Sequence, residues 1–187
     1  MIQLDILVLR YFMKILANIL GVSGIIIAVV LYQQKNRKSL LTYKLVLDLI
    51  WFLHYLLIGA YSGAAVAAIA ALREIVFVKR DPKKSGSIIW LPIFILIAVI
   101  TTVWTWDSVY SLFALSASCI AVISFFIGKP KLSRILAFPV CTSLLIYDVS
   151  CHSVWGVINE SISIISSLIG FIRLDVKKSK DTAVTAE

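Results

Sequence analysis

Six ionisable side chains, Asp48, His54, Arg73, Glu74, Asp148 and Glu160, lie inside long apolar stretches of this chain. At the centre of a membrane helix such a group costs roughly 2.5–3.5 kcal/mol on insertion scales, so it normally faces a bundle interior or water and finds a partner. Asp48 and Arg73 flank a short uncharged connection near Tyr61-Ser62, about thirteen residues before it and about twelve after it. At a rise of roughly 1.5 Å per residue the two reach nearly equal depth. That predicts an ion pair or a shared polar network between consecutive helices. The competing arrangement pairs Asp48 with Lys44, one turn away, and lets Arg73 snorkel to the headgroups.

Asp48, Trp51 and Tyr55 share one helical face, with His54 beside them. Such a stripe suits a small hydroxylated or ring-bearing ligand stacked on Trp51 and hydrogen-bonded to His54 and Tyr55. It equally suits a helix-packing face with a hydrogen-bonded histidine. Asn159 and Glu160 fall near the start of the last apolar stretch. An intramembrane glutamate there could couple protons, contact a cation or accept a substrate hydroxyl. The alternative is a water-bridged structural hydrogen bond. The substrate-site expectation comprises Trp51, His54, Tyr55, Tyr147, Asp148, Asn159 and Glu160.

These groups need helices to hold them. Hydrophobic residues make up 60% of the 187 positions and mean hydropathy is +0.98, well above a soluble domain. The apolar runs are continuous rather than alternating, which excludes a transmembrane barrel. Seven spans are predicted, over 15–33, 41–60, 63–80, 87–105, 109–127, 134–151 and 154–173. The sequence also recurs at a shift of 93 residues: Ile27-Ala28-Val29-Val30 returns as Ile120-Ala121-Val122-Ile123, Lys38 as Lys131, Gly63 as Gly156 and Arg80 as Arg173.

The expected fold is therefore all-α, a single membrane domain over 1–187. Two parallel three-helix repeats (15–80 and 109–173) would be joined by a linker helix (87–105) and followed by a tail (174–187), a 3-1-3 plan of the SWEET type. The third span (Gly63 to Ala71) and the last (Gly156 to Gly170) are rich in small residues. Small residues let membrane helices approach closely, and the expectation is that the third helix of each unit wedges between the other two. Pro92 and Pro139 are candidate kink sites. The repeats diverge where chemistry is expected: His54 corresponds to Tyr147, Tyr55 to Asp148, and Ala67 to Glu160.

Charge orients the spans. Fifteen of the eighteen Lys and Arg fall in the segments 34–44, 79–86, 128–134 and the C-terminal tail, all on one side of a seven-span chain. The positive-inside rule then places the C-terminus in the cytoplasm and the N-terminus outside. Arg10 and Lys14 dissent, so residues 1–14 are read as an amphipathic interfacial stretch rather than a cleaved signal. Tyr61, Trp104, Trp106, Tyr110 and Trp155 gather at the charge-poor side, as an interfacial aromatic belt does.

The net charge of +8 does not imply nucleic-acid binding, because the basic residues sit in short loops between spans. No Walker loop, HExxH or GxSxG occurs, so no enzyme activity, metal or cofactor is expected. Cys119, Cys141 and Cys151 are read as small buried residues. Expected partners are the lipid bilayer, a small polar metabolite and a second copy in a homo-oligomer.

The stretch His54-Tyr-Leu-Leu-Ile-Gly59-Ala-Tyr61, followed by a small-residue helix with Arg73, resembles the YgjV family of bacterial inner-membrane proteins. So does Ser153-Val-Trp-Gly156 followed by Glu160 and Ile172-Arg173. The similarity runs over roughly residues 18–175. It departs at Ala70 and Ser167, where the family pattern has asparagines, and at Tyr147, where it has a histidine. The resemblance implies a bacterial inner-membrane location and a distant likeness to the SWEET, PQ-loop and nicotinamide-riboside transporters. The expected function is a facilitator or ion-coupled transporter of a small polar metabolite working by alternating access. The alternative is a non-transporting receptor or scaffold.

Overall fold

The computed structural model describes residues 2–59, 61–80, 88–106, 108–150 and 154–176, with side chains from Arg10 onward except at 61–63 and 65. Seven helices carry these residues: α1 Ile2–Tyr32, α2 Arg37–Leu57, α3 Tyr61–Lys79, α4 Trp90–Trp104, α5 Ser111–Ile127, α6 Pro130–Ser150 and α7 Val154–Phe171. A wide π-turn over Ile172–Val176 continues α7. No strand occurs among the described residues. Asp107, Cys151, the His152-Ser153 connection, Lys83, Lys84 and the tail beyond Val176 lie outside them.

Among the described residues, four helical stretches are long and apolar enough to cross a membrane: Arg10–Tyr32, Arg37–Leu57, Pro130–Ser150 and Val154–Val176. The helices α4 and α5 have 15 and 17 residues. At about 1.5 Å per residue they rise only about 22 and 25 Å. The expected break between residues 1–14 and the first span is absent, because α1 runs unbroken from Ile2 over 31 residues. Two cations expected in loops lie within helices. Lys44 is two turns into α2, and Arg134 is in the first turn of α6. Both helices start about four residues earlier than the apolar runs suggest, because loop-like polar residues make their first turns.

Packing follows small residues. On α3 the buried positions Ala64, Ala67, Ala71, Glu74 and Phe77 form one stripe, with Arg73 buried beside it. On α7 the buried positions are Gly156, Asn159, Glu160, Ser163, Ser166, Ser167 and Gly170. Both sets keep the i, i+3/i+4, i+7 spacing of one helix face. Long aliphatic side chains such as Ile165, Leu168 and Ile169 face outward, as a lipid-facing surface requires.

The expectation that the third helix wedges between its neighbours is corrected. The helix α2 lies between α1 and α3, and α6 lies between α5 and α7. The short turns that follow α2 and α6 make each of them an antiparallel neighbour on both sides. Further contacts join α1 to α7 and α4 to α5, with a lighter one between α3 and α5.

Hydrogen bonds from buried side chains tie these helices at the end where the basic residues collect. Arg134 donates to the carbonyls of Tyr32 (3.2 Å) and Gln34 (2.9 Å) at the end of α1, and grips Asp175 with Nε (2.7 Å) and Nη2 (3.0 Å). Ser167 donates to the Arg134 carbonyl at 2.6 Å. Ser166 donates to Val29 O at 2.8 Å, and Gln33 donates to Ser166 O at 2.9 Å. Arg80 donates to Phe126 O at the end of α5 and lies 3.6 Å over the Phe126 ring. Arg37 donates to Phe77 O at 2.7 Å. Each cation sits where a helix leaves carbonyls unpaired and its dipole is negative.

Two glycines are required by these contacts. Gly128 ends α5 with φ +62°, and a Cβ there would stand 2.5 Å from Arg37 Nε. A Cβ on Gly170 would stand 2.5 Å from Tyr32 O and 2.9 Å from Arg134. Of the two prolines, Pro92 is third in α4, where the N–H needs no intrahelical partner, so it starts a helix rather than kinking one. Pro139 is within α6 and removes a bond to Ile135 O.

Gly170→Ala is expected to lower the unfolding free energy in detergent by about 1–3 kcal/mol through overpacking. The outward-facing substitution Ile169→Ala should cost far less. Equal losses in a thermal unfolding assay would mean that α1 and α7 do not meet closely at Gly170.

Candidate functional site

The seven predicted site residues are connected in space. His54 is buried and its Nδ1 lies 2.8 Å from the Ala17 carbonyl in α1. A carbonyl only accepts, so Nδ1 carries the proton. The His54 ring meets Trp51 edge-on at 5.2 Å and Tyr55 at 5.6 Å. The Trp51 indole lies against Gly24 of α1. Trp51 and His54 therefore face α1, which favours the packing role weighed for that stripe. Tyr55, whose ring also packs on Trp51 at 5.7 Å, lies within electrostatic reach of Tyr147, Asp148 and Glu160.

Asp148 is in the last turn of α6, and its carboxyl occupies the space that a Cβ on Gly156 of α7 would fill. Asn159 Nδ2 donates to Glu160 Oε1 at 2.8 Å. Glu160 also lies within electrostatic reach of the Cys141 thiol of α6, which lies 4.0 Å from the Tyr32 hydroxyl of α1. The residues Tyr32, Tyr55, Cys141, Asp148 and Glu160 thus bring α1, α2, α6 and α7 to one polar centre.

The predicted Asp48–Arg73 pair does not form. Asp48 pairs with Lys44 on its own helix, and Arg73 pairs with Glu74 through Nε (3.0 Å) and Nη2 (2.9 Å). Depth explains this. Asp48 is nine residues before the end of α2, whereas Arg73 is twelve after the start of α3. That leaves an offset of about 4.5 Å. Lys44, thirteen residues before the end of α2, is the residue level with Arg73. Both cations accordingly lie over one ring, Phe125 of α5, at 5.6 and 5.9 Å. The shared polar network between α2 and α3 does exist, through Glu74, which lies within electrostatic reach of Asp48 and Lys44.

Lys44 is the residue that the sequence reading assigned elsewhere. It reaches Asp48, Glu74 and Glu160, and so joins the α2–α3 network to the α6–α7 centre. Its signal was the i, i+4 spacing to Asp48 on one helix face. Glu74, fully buried, was recognised as intramembrane but given no role. The oxygens Asp48 Oδ2, Glu74 Oε2 and Asn159 Oδ1 are buried without a hydrogen-bond partner. Together the groups form a line along the bundle. Asp148 lies near one end, Glu160 and Cys141 lie further in, then Lys44, Asp48 and Glu74. Arg134 lies at the opposite end.

Residues 15–178 match the model of the Imp-YgjV family, described as a bacterial inner membrane protein, and the chain belongs to that family. No curated protein and no solved structure shows significant similarity to it.

Lys44→Met removes the ion-pair partner of buried Asp48. Stranding buried charge of this kind costs about 3–5 kcal/mol. The unfolding midpoint in detergent should fall steeply, and Lys44→Met combined with Asp48→Asn should recover much of the loss. A Lys44→Met protein as stable as the parent would place the ammonium among headgroups instead.

Proposed function

We propose that this member of the Imp-YgjV family carries a small polar metabolite across the bacterial inner membrane by alternating access, coupled to protons or another cation. The family and the long apolar helices make it a multi-pass inner-membrane protein. The observation that carries the transport reading is the line of buried titratable groups Asp148, Glu160, Lys44, Asp48 and Glu74. Two cations, Lys44 and Arg73, pair with Asp48 and Glu74, Asp148 and Glu160 have no ion pair among the described residues, and two of the carboxylate oxygens, on Asp48 and Glu74, lack hydrogen-bond partners. Groups this costly persist in a membrane where they bind or relay ions. An excess of carboxylate over cation suits a site that takes up a proton or a cation with its substrate.

The two-repeat plan supplies the moving parts. The helices α1–α3 would form one unit and α5–α7 the other, with α4 as linker. The 93-residue recurrence supports this, as does the middle position of both α2 and α6. Exchanging the halves also maps the α1–α7 contact onto the α3–α5 contact. Rocking about these two contacts would open the polar centre to either side. The Arg134 and Arg80 bonds would close the basic end, which the positive-inside rule places in the cytoplasm with the C-terminus, leaving the N-terminus outside. A non-transporting receptor or scaffold is the second reading. The interhelical bonds of His54, Ser166 and Gln33, which fix α1 against α2 and α7, favour it.

The test is uptake into proteoliposomes from a metabolite panel, with and without an imposed pH gradient. Gradient-driven accumulation is expected in the parent protein. In Glu160→Gln and Asp148→Asn it should fall at least about tenfold, the scale set by about 1.4 kcal/mol, while exchange without a gradient persists. Full accumulation in both variants would remove the coupling role. A protein that moves no metabolite under either condition belongs to the second reading.

A further inference from the structure

A cavity of about 60 Å³ lies between α3, α4 and α5, away from the polar centre of α1, α2, α6 and α7. That is room for on the order of four waters, or a ligand of a few heavy atoms. Its walls include Ala70, Phe94 and Val122, and its polar lining is Arg73, Thr101, Thr102 and Ser118. The arginine is almost wholly buried, yet its hydrogen bonds are one-sided. Nε and Nη2 both go to a single oxygen of Glu74, and no hydrogen bond engages Nη1 among the described residues. Thr101 donates its hydroxyl to Ile97 O, whereas no hydrogen bond engages the hydroxyls of Thr102 and Ser118 among the described residues.

The cavity is thus lined by unused donors and carries no carboxylate of its own. One guanidinium edge and two hydroxyls have nothing to donate to, and the remaining walls are apolar. We propose that this cavity is a binding site for a small monocarboxylate with a short apolar tail. The carboxylate accepts from Arg73 Nη1, with the Thr102 and Ser118 hydroxyls as further donors, and the tail lies against Ala70, Phe94 and Val122. Hydrogen bonds between ions are the strong kind, and a guanidinium is shaped for a carboxylate. The volume limits the ligand to two to four carbons or so. Glu74 is the internal competitor, since it already holds the other edge of the same guanidinium. The site is independent of the transport reading, because it concerns binding alone.

The experiment uses the full chain, purified in a non-ionic detergent. It is titrated with sodium acetate, propionate and butyrate against sodium chloride at equal ionic strength. Thermal midpoint and tryptophan fluorescence give the affinity; Trp90, stacked on Phe94 at 6.1 Å, is the nearby reporter. Saturable binding of at least one carboxylate, with none by chloride, is expected. Arg73→Lys keeps the charge and loses the planar edge, and should weaken binding about tenfold or more, one charge-assisted bond. Ala70→Leu fills the cavity and should abolish binding while leaving the unliganded midpoint within a few degrees. Glu74→Gln removes the competitor and should tighten binding severalfold.

Ala70→Leu binding as well as the parent, Glu74→Gln failing to tighten it, or chloride acting like a carboxylate would each overturn the assignment. Nanodiscs separate a free carboxylate from a lipid headgroup. Binding should persist in pure phosphatidylcholine. Stabilisation seen only with phosphatidic acid would give the site to lipid phosphate and overturn the proposal.

Discussion

Arg134 holds three helices at once, and the closed end of the bundle depends on it. It is a residue of α6, its acceptors are the last carbonyls of α1, and its counter-ion is Asp175 on the turn that extends α7. A membrane helix end cannot leave carbonyls facing hydrocarbon, since each unsatisfied group costs several kcal/mol. Satisfying them from a neighbouring helix converts that local requirement into a tertiary contact. Arg80 does the same for α5 from α3, and Arg37 does it for α3 from α2. The close approach of α1 and α7, with Gly170 against a backbone carbonyl, is geometrically tied to the Arg134 contact.

From that end inward, the interior changes from arginine-bonded backbone to bonded side chains. Buried serines and glycines on α7 let α1 and α6 come close, and the space so gained is where Glu160, Cys141 and Tyr32 meet. Lys44 links this centre to α3 electrostatically. Electrostatic coupling therefore spans the two sides of the bundle through one flexible side chain. The Lys44 ammonium pairs with Asp48 and lies within electrostatic reach of Glu74 and Glu160, so any change in its position alters the charge balance of all three.

The number and rough placement of the helices were legible in the sequence, because seven apolar stretches separated by charged or turn residues allow little else. The identity of the polar residues was legible too, since ionisable groups stand out against Leu and Ile. Of their partners, Lys44 for Asp48 was one of two arrangements the spacing allowed, and the others were not legible. Helix starts are poorly marked where the first turn is polar, and that alone put Lys44 and Arg134 in loops. An error of four residues at the start of α2 hides Lys44, which lies level with Arg73 and carries the connection expected of Asp48. His54 illustrates a second limit. Its helical face was readable, but only the approach of α1 at Ala17 and Gly24 shows that the face meets a neighbouring helix. Arg134 illustrates a third, because its acceptors are backbone carbonyls about a hundred residues away, which no side-chain pattern encodes.

The short helices α4 and α5 also bear on the surrounding lipid. A hydrocarbon layer averages about 30 Å, and one wall of this protein rises only about 22–25 Å. Lipids bordering that wall must thin or its flanking residues must snorkel, at a fraction of a kcal/mol per Å of mismatch. The long α1, α2, α6 and α7 present no such deficit. The bilayer is therefore deformed asymmetrically around the molecule. The side that would thin is the one that carries the α3–α4–α5 cavity.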